Sequence, residues 1–132
     1  MNLVIDTSVL IAVLVSEPER DRIVELTAGA DLIAPGSVHW EVGNALAAML
    51  KRKRITAQQA VAVLRAYDQI PIRFVDLDLP AALEVAAQYG LYAYDAYVIQ
   101  CAAINHCALI SLDKGLLHAA KRAHVKTVEV PA

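Results

Sequence analysis

The stretch that decides the fold is MNLVIDTSVLIAVL, residues 1–14. An apolar run reaches Asp6 and then resumes after Thr7 and Ser8. A strand that ends on a carboxylate with a helix starting behind it has an ordinary explanation. Asp, Ser and Thr are the usual helix N-caps, because their side chains accept from the free N–H groups of the first turn. The alternative is that Asp6 meets other acids at the end of a sheet.

The rest of the chain repeats the strand–helix alternation. A first strand is expected over about residues 2–6 and a short helix from about Ser8. A turn at Ser16-Glu17-Pro18 leads to a helix over Glu19 to Ala28. ADLIAP is a short strand, Pro35-Gly36-Ser37 a turn and cap, and the next helix runs to about Arg52. Thr56 caps a helix reaching about Tyr67, and IRFV is a strand. A helix from Leu79 to Tyr89 ends at Gly90, and another covers about Tyr94 to Asn105. ALISL is a strand, Lys114 to Ala123 a helix, and KTVEV the last strand. Short apolar strands separated by helices predict an α/β fold whose parallel sheet is covered on both faces.

The 132 residues suit a single domain, 1–132, large enough to bury a core without disulfides or a structural metal. Hydrophobic residues make up 58% of the chain and the mean hydropathy is +0.45, so some apolar surface is expected to be covered by another chain. No apolar run is long enough to span a bilayer, and the N-terminus lacks the pattern of a signal peptide; a cytoplasmic protein is expected. Cys101 and Cys107 read as packed thiols. His39, His106, His118 and His124 lack metal-ligand spacing. A net charge of −2 rules out a polybasic nucleic-acid binder, so RNA contact would need a local patch. Lys51-Arg52-Lys53-Arg54 is one, although cations at a helix C-terminus also offset its dipole.

Ligands of open parallel sheets bind beyond the carboxyl ends of the strands, where strand order reverses. Asp6 and Asp113 end strands there, and Asp76 and Asp78 follow IRFV. Asp78, ahead of Leu79-Pro80, reads as a cap. Glu41 in SVHWEVGNAL and Asp95 in LYAYDAYVIQCA lie early in helices. Asp95 stands among Tyr92, Ala93, Tyr94, Ala96, Tyr97 and Val98, where a carboxylate is costly to desolvate without compensation. Several carboxylates with no matching cations suit a hard ion such as magnesium or manganese, whose common task in such clusters is phosphoryl chemistry. Trp40 and the tyrosines near Asp95 can stack on bases, though packing is their commoner use.

Asp6 in VIDTSVLIA, Glu41 in IAPGSVHWEVGNALAAMLKRKRIT, Asp95 in YDAYVIQCAA and Asp113 in LISLDKGLLHAA resemble the four acidic motifs of the PIN-domain family. The likeness is narrower still to the VapC-type toxins of toxin–antitoxin modules. It implies a three-layer α/β/α sandwich with a five-stranded parallel sheet in order 3-2-1-4-5. It implies a Mg2+- or Mn2+-dependent endoribonuclease cutting tRNA, rRNA or mRNA to leave a 5′-phosphate and a 3′-hydroxyl. Asp6, Asp95 and Asp113 would be metal ligands and Glu41 a ligand or water-orienting base. Ser8, Asn44 and Ser111 would support them, and Lys51, Arg52, Lys53, Arg54 and Lys114 are candidates for holding RNA. A cognate antitoxin and a homodimer, with the helices of the first half as its surface, follow from the same likeness; a membrane does not. Gly115-Leu116 departs from relatives that carry another acid or an aromatic after the last Asp. Two other readings are an RNA-processing nuclease without an antitoxin and a non-catalytic PIN-fold binding module.

Overall fold

The computed structural model describes residues 1–131; Ala132 lies outside the described residues. Five parallel strands form one sheet in the order β3-β2-β1-β4-β5. They are β1 (Asn2–Ile5), β2 (Asp31–Pro35), β3 (Ile72–Val75), β4 (Ala108–Ser111) and β5 (Thr127–Glu129). Seven helices connect them: α1 (Thr7–Leu14), α2 (Arg20–Thr27), α3 (Ser37–Lys51), α4 (Ala57–Asp68), α5 (Leu79–Tyr89), α6 (Ala93–Ile104) and α7 (Lys114–Arg122). The strand order is the one the resemblance implied.

The order explains the layers. From β1 through β2 to β3 the chain steps one way across the sheet, and from β4 to β5 it steps the other way. Right-handed crossovers therefore put α1–α4 on one face and α5–α7 on the other. The packing agrees. α1 lies against α2, α3 and α4, while α6 lies across β2, β1 and β4. Central β1 is covered on both sides, and three of its four residues are buried. Val4 faces Ile33 on one neighbour and Leu109 on the other, and all three are fully buried. The edge strands β3 and β5 are only partly covered.

Local chemistry sets the helix starts. Thr56 and Gln59 form a reciprocal capping box, at 3.1 and 2.8 Å. Asp78 accepts from the Ala81 N–H at 3.1 Å ahead of Pro80, the cap that its position predicted. Ser37 is not a cap: Gly36 takes that position in helical conformation and no side chain caps α3. The Ser37 hydroxyl is instead turned toward Glu41, as described below.

Five helix ends share one device. A residue in the left-handed region follows the helix, and the next N–H reaches back five residues to a carbonyl of the last turn. The bonds are Glu17 to Ala12, Arg54 to Met49, Leu91 to Ala86, Cys107 to Ala102 and Val125 to Ala120, all 2.8–3.1 Å. Gly90 supplies the left-handed residue once. Ser16, Lys53, His106 and His124 supply it elsewhere, with φ of 56°, 57°, 51° and 63°. A side chain there crowds its own carbonyl and costs about 1 kcal/mol or more. Lys53→Gly and His124→Gly, both exposed positions, are therefore expected to raise stability by roughly 0.5–1 kcal/mol each. A shift of the urea midpoint at constant slope would show it, and a fall would mean the side chains make contacts that outweigh the strain.

Candidate active site

The answer to the opening question lies in what the Asp6 carboxylate touches. Asp6 occupies the N-cap position of α1 but its side chain caps nothing. Its backbone N–H extends the ladder to Ile110 O at 3.2 Å. Asp6 Oδ2 accepts from Ser8 Oγ and from Ser111 Oγ, both at 2.7 Å. Each serine is itself fixed: the Leu112 N–H donates to Ser8 Oγ at 3.0 Å, and the Asp113 N–H donates to Ser111 Oγ at 2.9 Å. Two backbone donors thus orient two hydroxyls, and the hydroxyls orient one oxygen of a carboxylate only 8% exposed. The adjacency of β1 and β4 at the reversal of strand order makes this possible.

Asp113, two residues beyond Ser111, serves two purposes. Its Oδ1 caps α7 by accepting from Leu116 N–H at 3.1 Å, which leaves Oδ2 to other partners. Gly115 keeps that carboxylate uncrowded, since a Cβ there would stand 3.2 Å from Asp113 Oδ1. The departure at Gly115 is therefore open space beside an acid.

The other two acids arrive from opposite faces of the sheet. Glu41 is on the first turns of α3 and Asp95 in the first turn of α6. Glu41 has its pKa pushed up to about 7, first by burial and then by the charge of Asp6; the Ser37 hydroxyl, one turn before it, pulls the other way, and Asp95 raises it further. Asp95 is also raised, by burial, then by Asp113 and by Asp6. Each acid thus feels at least one of the others, and the four form one electrostatic unit. Among the described residues none of them pairs with a cation, because the ion pairs all involve other acids. Glu41 Oε2 and Ser37 Oγ are shielded from solvent without a hydrogen bond of good geometry.

Can this group hold an ion? Among the described residues no three His, Cys, Asp or Glu side chains are already gathered around one point. The donor set itself fits a hard divalent cation: all oxygen, excess negative charge, and one shielded carboxylate oxygen without a partner.

The supporting residues divide. Ser8 and Ser111 are in contact with Asp6. Asn44 is exposed on α3. Lys51, Arg52, Lys53 and Arg54 are all exposed at the far end of α3, about 15 Å along its axis from Glu41. Lys114 is exposed beside Asp113. Sequence reading missed the influence of Ser37 on Glu41; the four-residue spacing on one helix face was the available signal. Trp40, Tyr92 and Tyr94, neighbours of Glu41 and Asp95 in sequence, are 77%, 89% and 58% exposed.

The model of the PIN domain family matches residues 3–122, nearly the whole chain. The chain belongs to the PIN domain family. Solved structures share the fold of this PIN domain. PAE2754 from Pyrobaculum aerophilum is 23% identical with a TM-score of 0.66, over 98% of this chain and 92% of that one. VapBC2 from Rickettsia felis, crystallised with a DNA fragment from its promoter, is 13% identical with a TM-score of 0.70, over 99% and 100%. FitAcB from Neisseria gonorrhoeae is 17% identical with a TM-score of 0.69, over 95% of each. No curated protein matches this PIN domain in sequence.

The electrostatics make a direct prediction for the metal-free protein. Unfolded, Glu41 gives up its proton near 4.5; folded, it holds it to about 7. Between those values the folded state binds more protons, so this group lowers stability as pH rises and then levels off. Asp95 acts in the same direction. Glu41→Gln removes the largest part. Its melting temperature should equal that of the parent near pH 4.5 and exceed it increasingly up to pH 7, with a constant gap above. A gap that does not change with pH would show that Glu41 carries no such strain.

Proposed function

We propose that residues 1–132 form one nuclease domain that hydrolyses RNA phosphodiester bonds with Mg2+ or Mn2+, as the toxin of a VapBC-type toxin–antitoxin pair. The observation that carries the chemistry is the electrostatic unit of Asp6, Glu41, Asp95 and Asp113, which has no cation of its own. Asp6, Asp95 and Asp113 would hold the ion. When bound, it supplies Lewis acidity, offsetting charge on the phosphodiester and easing deprotonation of water at neutral pH.

The chain's own residues supply the rest. Ser8 and Ser111 keep Asp6 Oδ2 in place through their 2.7 Å bonds. Glu41 Oε2, shielded and unpartnered, would take the proton of the attacking water. In-line displacement of the 3′-oxygen leaves a 5′-phosphate and a 3′-hydroxyl. Lys114, exposed beside Asp113, and the run Lys51 to Arg54 are the cations available for the RNA backbone.

The partners follow from surface and relatives. VapBC2 and FitAcB share the fold, which supports an antitoxin that covers the acidic cleft. Large apolar side chains left exposed on α3 and α4, namely Trp40, Leu50, Val61 and Leu64, support a homodimer through the first-half helices. No helix among the described residues is long and apolar enough to cross a membrane, which fits a cytoplasmic toxin.

The test is cleavage of a mixed pool of tRNA, rRNA and short RNAs by purified protein, with Mg2+, Mn2+ or EDTA. Cuts that need the ion and end in a 5′-phosphate are expected. Intact RNA, with ion binding confirmed by calorimetry, would favour a binding module.

A further inference from the structure

β3 is followed by two acids that the fold treats differently. Asp78 caps α5. Asp76 caps nothing and has no ion-pair partner among the described residues. Asp76, an exposed residue, instead lines a cavity of about 180 Å³ at the carboxyl ends of β2 and β3. Val75, Leu77 and Leu79 provide apolar walls and Tyr97 of α6 an aromatic one. Leu79 is 53% exposed at this rim, a large apolar side chain in water. Tyr97 is fixed by an edge-on contact with Tyr94, ring centroids 5.9 Å apart at 79°. Ser37 also lines the cavity, and the same residue lies against Glu41. The cavity therefore adjoins the acidic cleft and shares a residue with it.

We infer that this cavity is a base-specificity subsite that takes one unstacked guanine of single-stranded RNA next to the scissile phosphate. The inference rests on the nuclease reading for its substrate. A hollow lined by apolar side chains and one aromatic ring suits the faces of a base splayed from the strand. An ionised carboxylate is acceptor-only and can take two parallel N–H donors. Guanine is the base whose Watson–Crick edge offers two adjacent donors, N1–H and N2–H. Adenine and cytosine offer an amino group beside an acceptor nitrogen, and uracil a single N–H, so each pairs less well with Asp76. The arginine of a peptide would also pair with Asp76, but it leaves the apolar hollow beside Tyr97 unfilled.

The experiment has two arms. In the first, Asp6→Asn protein, disabled for cleavage, is titrated with short single-stranded RNAs that differ at one position, guanine, inosine, adenine, cytosine or uracil. Guanine should bind tightest. Inosine, without the 2-amino group, should be intermediate. Adding Asp76→Asn should erase the preference, a loss of roughly 10- to 100-fold. Gly36→Leu is the second variant. Gly36 lines the cavity with ordinary φ, and a Cβ there meets nothing within 4 Å, so a side chain can enter without strain and should block the site. In the second arm, cuts made by protein with Asp6 intact are mapped in a random RNA pool. Guanine should be enriched at one fixed register, and among the cuts made by Asp76→Asn protein that enrichment should be absent. Cutting without base preference, or a preference that Asp76→Asn and Gly36→Leu leave unchanged, overturns the subsite and spares the nuclease. Guanine-selective binding without any cutting keeps the subsite and overturns the nuclease. Neither preference nor cutting overturns both.

Discussion

Asp6→Asn should lower the metal-dependent cleavage rate by more than about 100-fold, since even an outer partner of a metal ligand is worth about 10–100-fold, while the fold survives. The substitution keeps the shape of the side chain. The amide oxygen can still accept from Ser8 and Ser111, which now bond Asp6 Oδ2 at 2.7 Å. What is lost is the negative charge at the centre of the acidic unit, felt by both Glu41 and Asp95. Melting should therefore change little, or rise in the absence of metal because repulsion is relieved. Ser111→Ala provides the comparison. It removes one of two donors to Asp6 and leaves the Asp113 N–H without its acceptor, so it should cost about 10–100-fold in metal affinity. Calorimetry with Mn2+ and initial cleavage rates measure both. An Asp6→Asn protein that cuts at the parental rate would remove Asp6 from the chemistry.

The second large effect is on stability. An ion that binds the folded chain at 100 times its dissociation constant adds about 2.7 kcal/mol. For a chain of this length that is a rise of about 10 °C in melting temperature. Saturating Mn2+ should produce it at pH 7.5, and EDTA should reverse it. The rise should shrink as pH falls through 7, because the ion must then displace protons from Glu41 and Asp95, both of which hold them more tightly than ordinary carboxylates. Asp95→Asn should lose most of the rise at every pH. A parent protein whose melting is indifferent to Mg2+ and Mn2+ alike would exclude a resident ion in this cleft.

Much of this was readable from the chain because local and global signals agree in it. Short apolar runs such as LVI and ALIS marked strands buried on both faces. Thr56 with Gln59, Asp78 with Pro80, and Gly90 marked helix ends by chemistry confined to a few residues. The four acids were visible as carboxylates at strand or helix ends. Other features carry no plain local mark. Four helices end on Ser16, Lys53, His106 and His124, where a left-handed residue suggests glycine; all four are exposed, and the backbone bonds of the helix ends hold them there against their own preference. Asp6 and Asp113 look alike in sequence, each an acid after a strand. One is buried and orders two serines, and the other is exposed and caps α7. Ser37 looked like a cap because it sits at the start of a helix, yet its hydroxyl acts on Glu41 one turn further along the same helix.

The bond from Ser111 to Asp6 spans 105 residues of sequence, and this has a consequence for synthesis. Asp6 and Glu41 leave the ribosome early, together with β1, β2 and β3. They have no catalytic partner until α5 and α6 have crossed beneath the sheet and β4 has inserted beside β1, because closing so long a loop precedes any contact it brings. Asp113 comes later still, after β4. On the proposed reading, a nascent chain therefore stays inert toward RNA until β4 has been made and has paired with β1. An inhibitor of the proposed activity is needed from that point and not before.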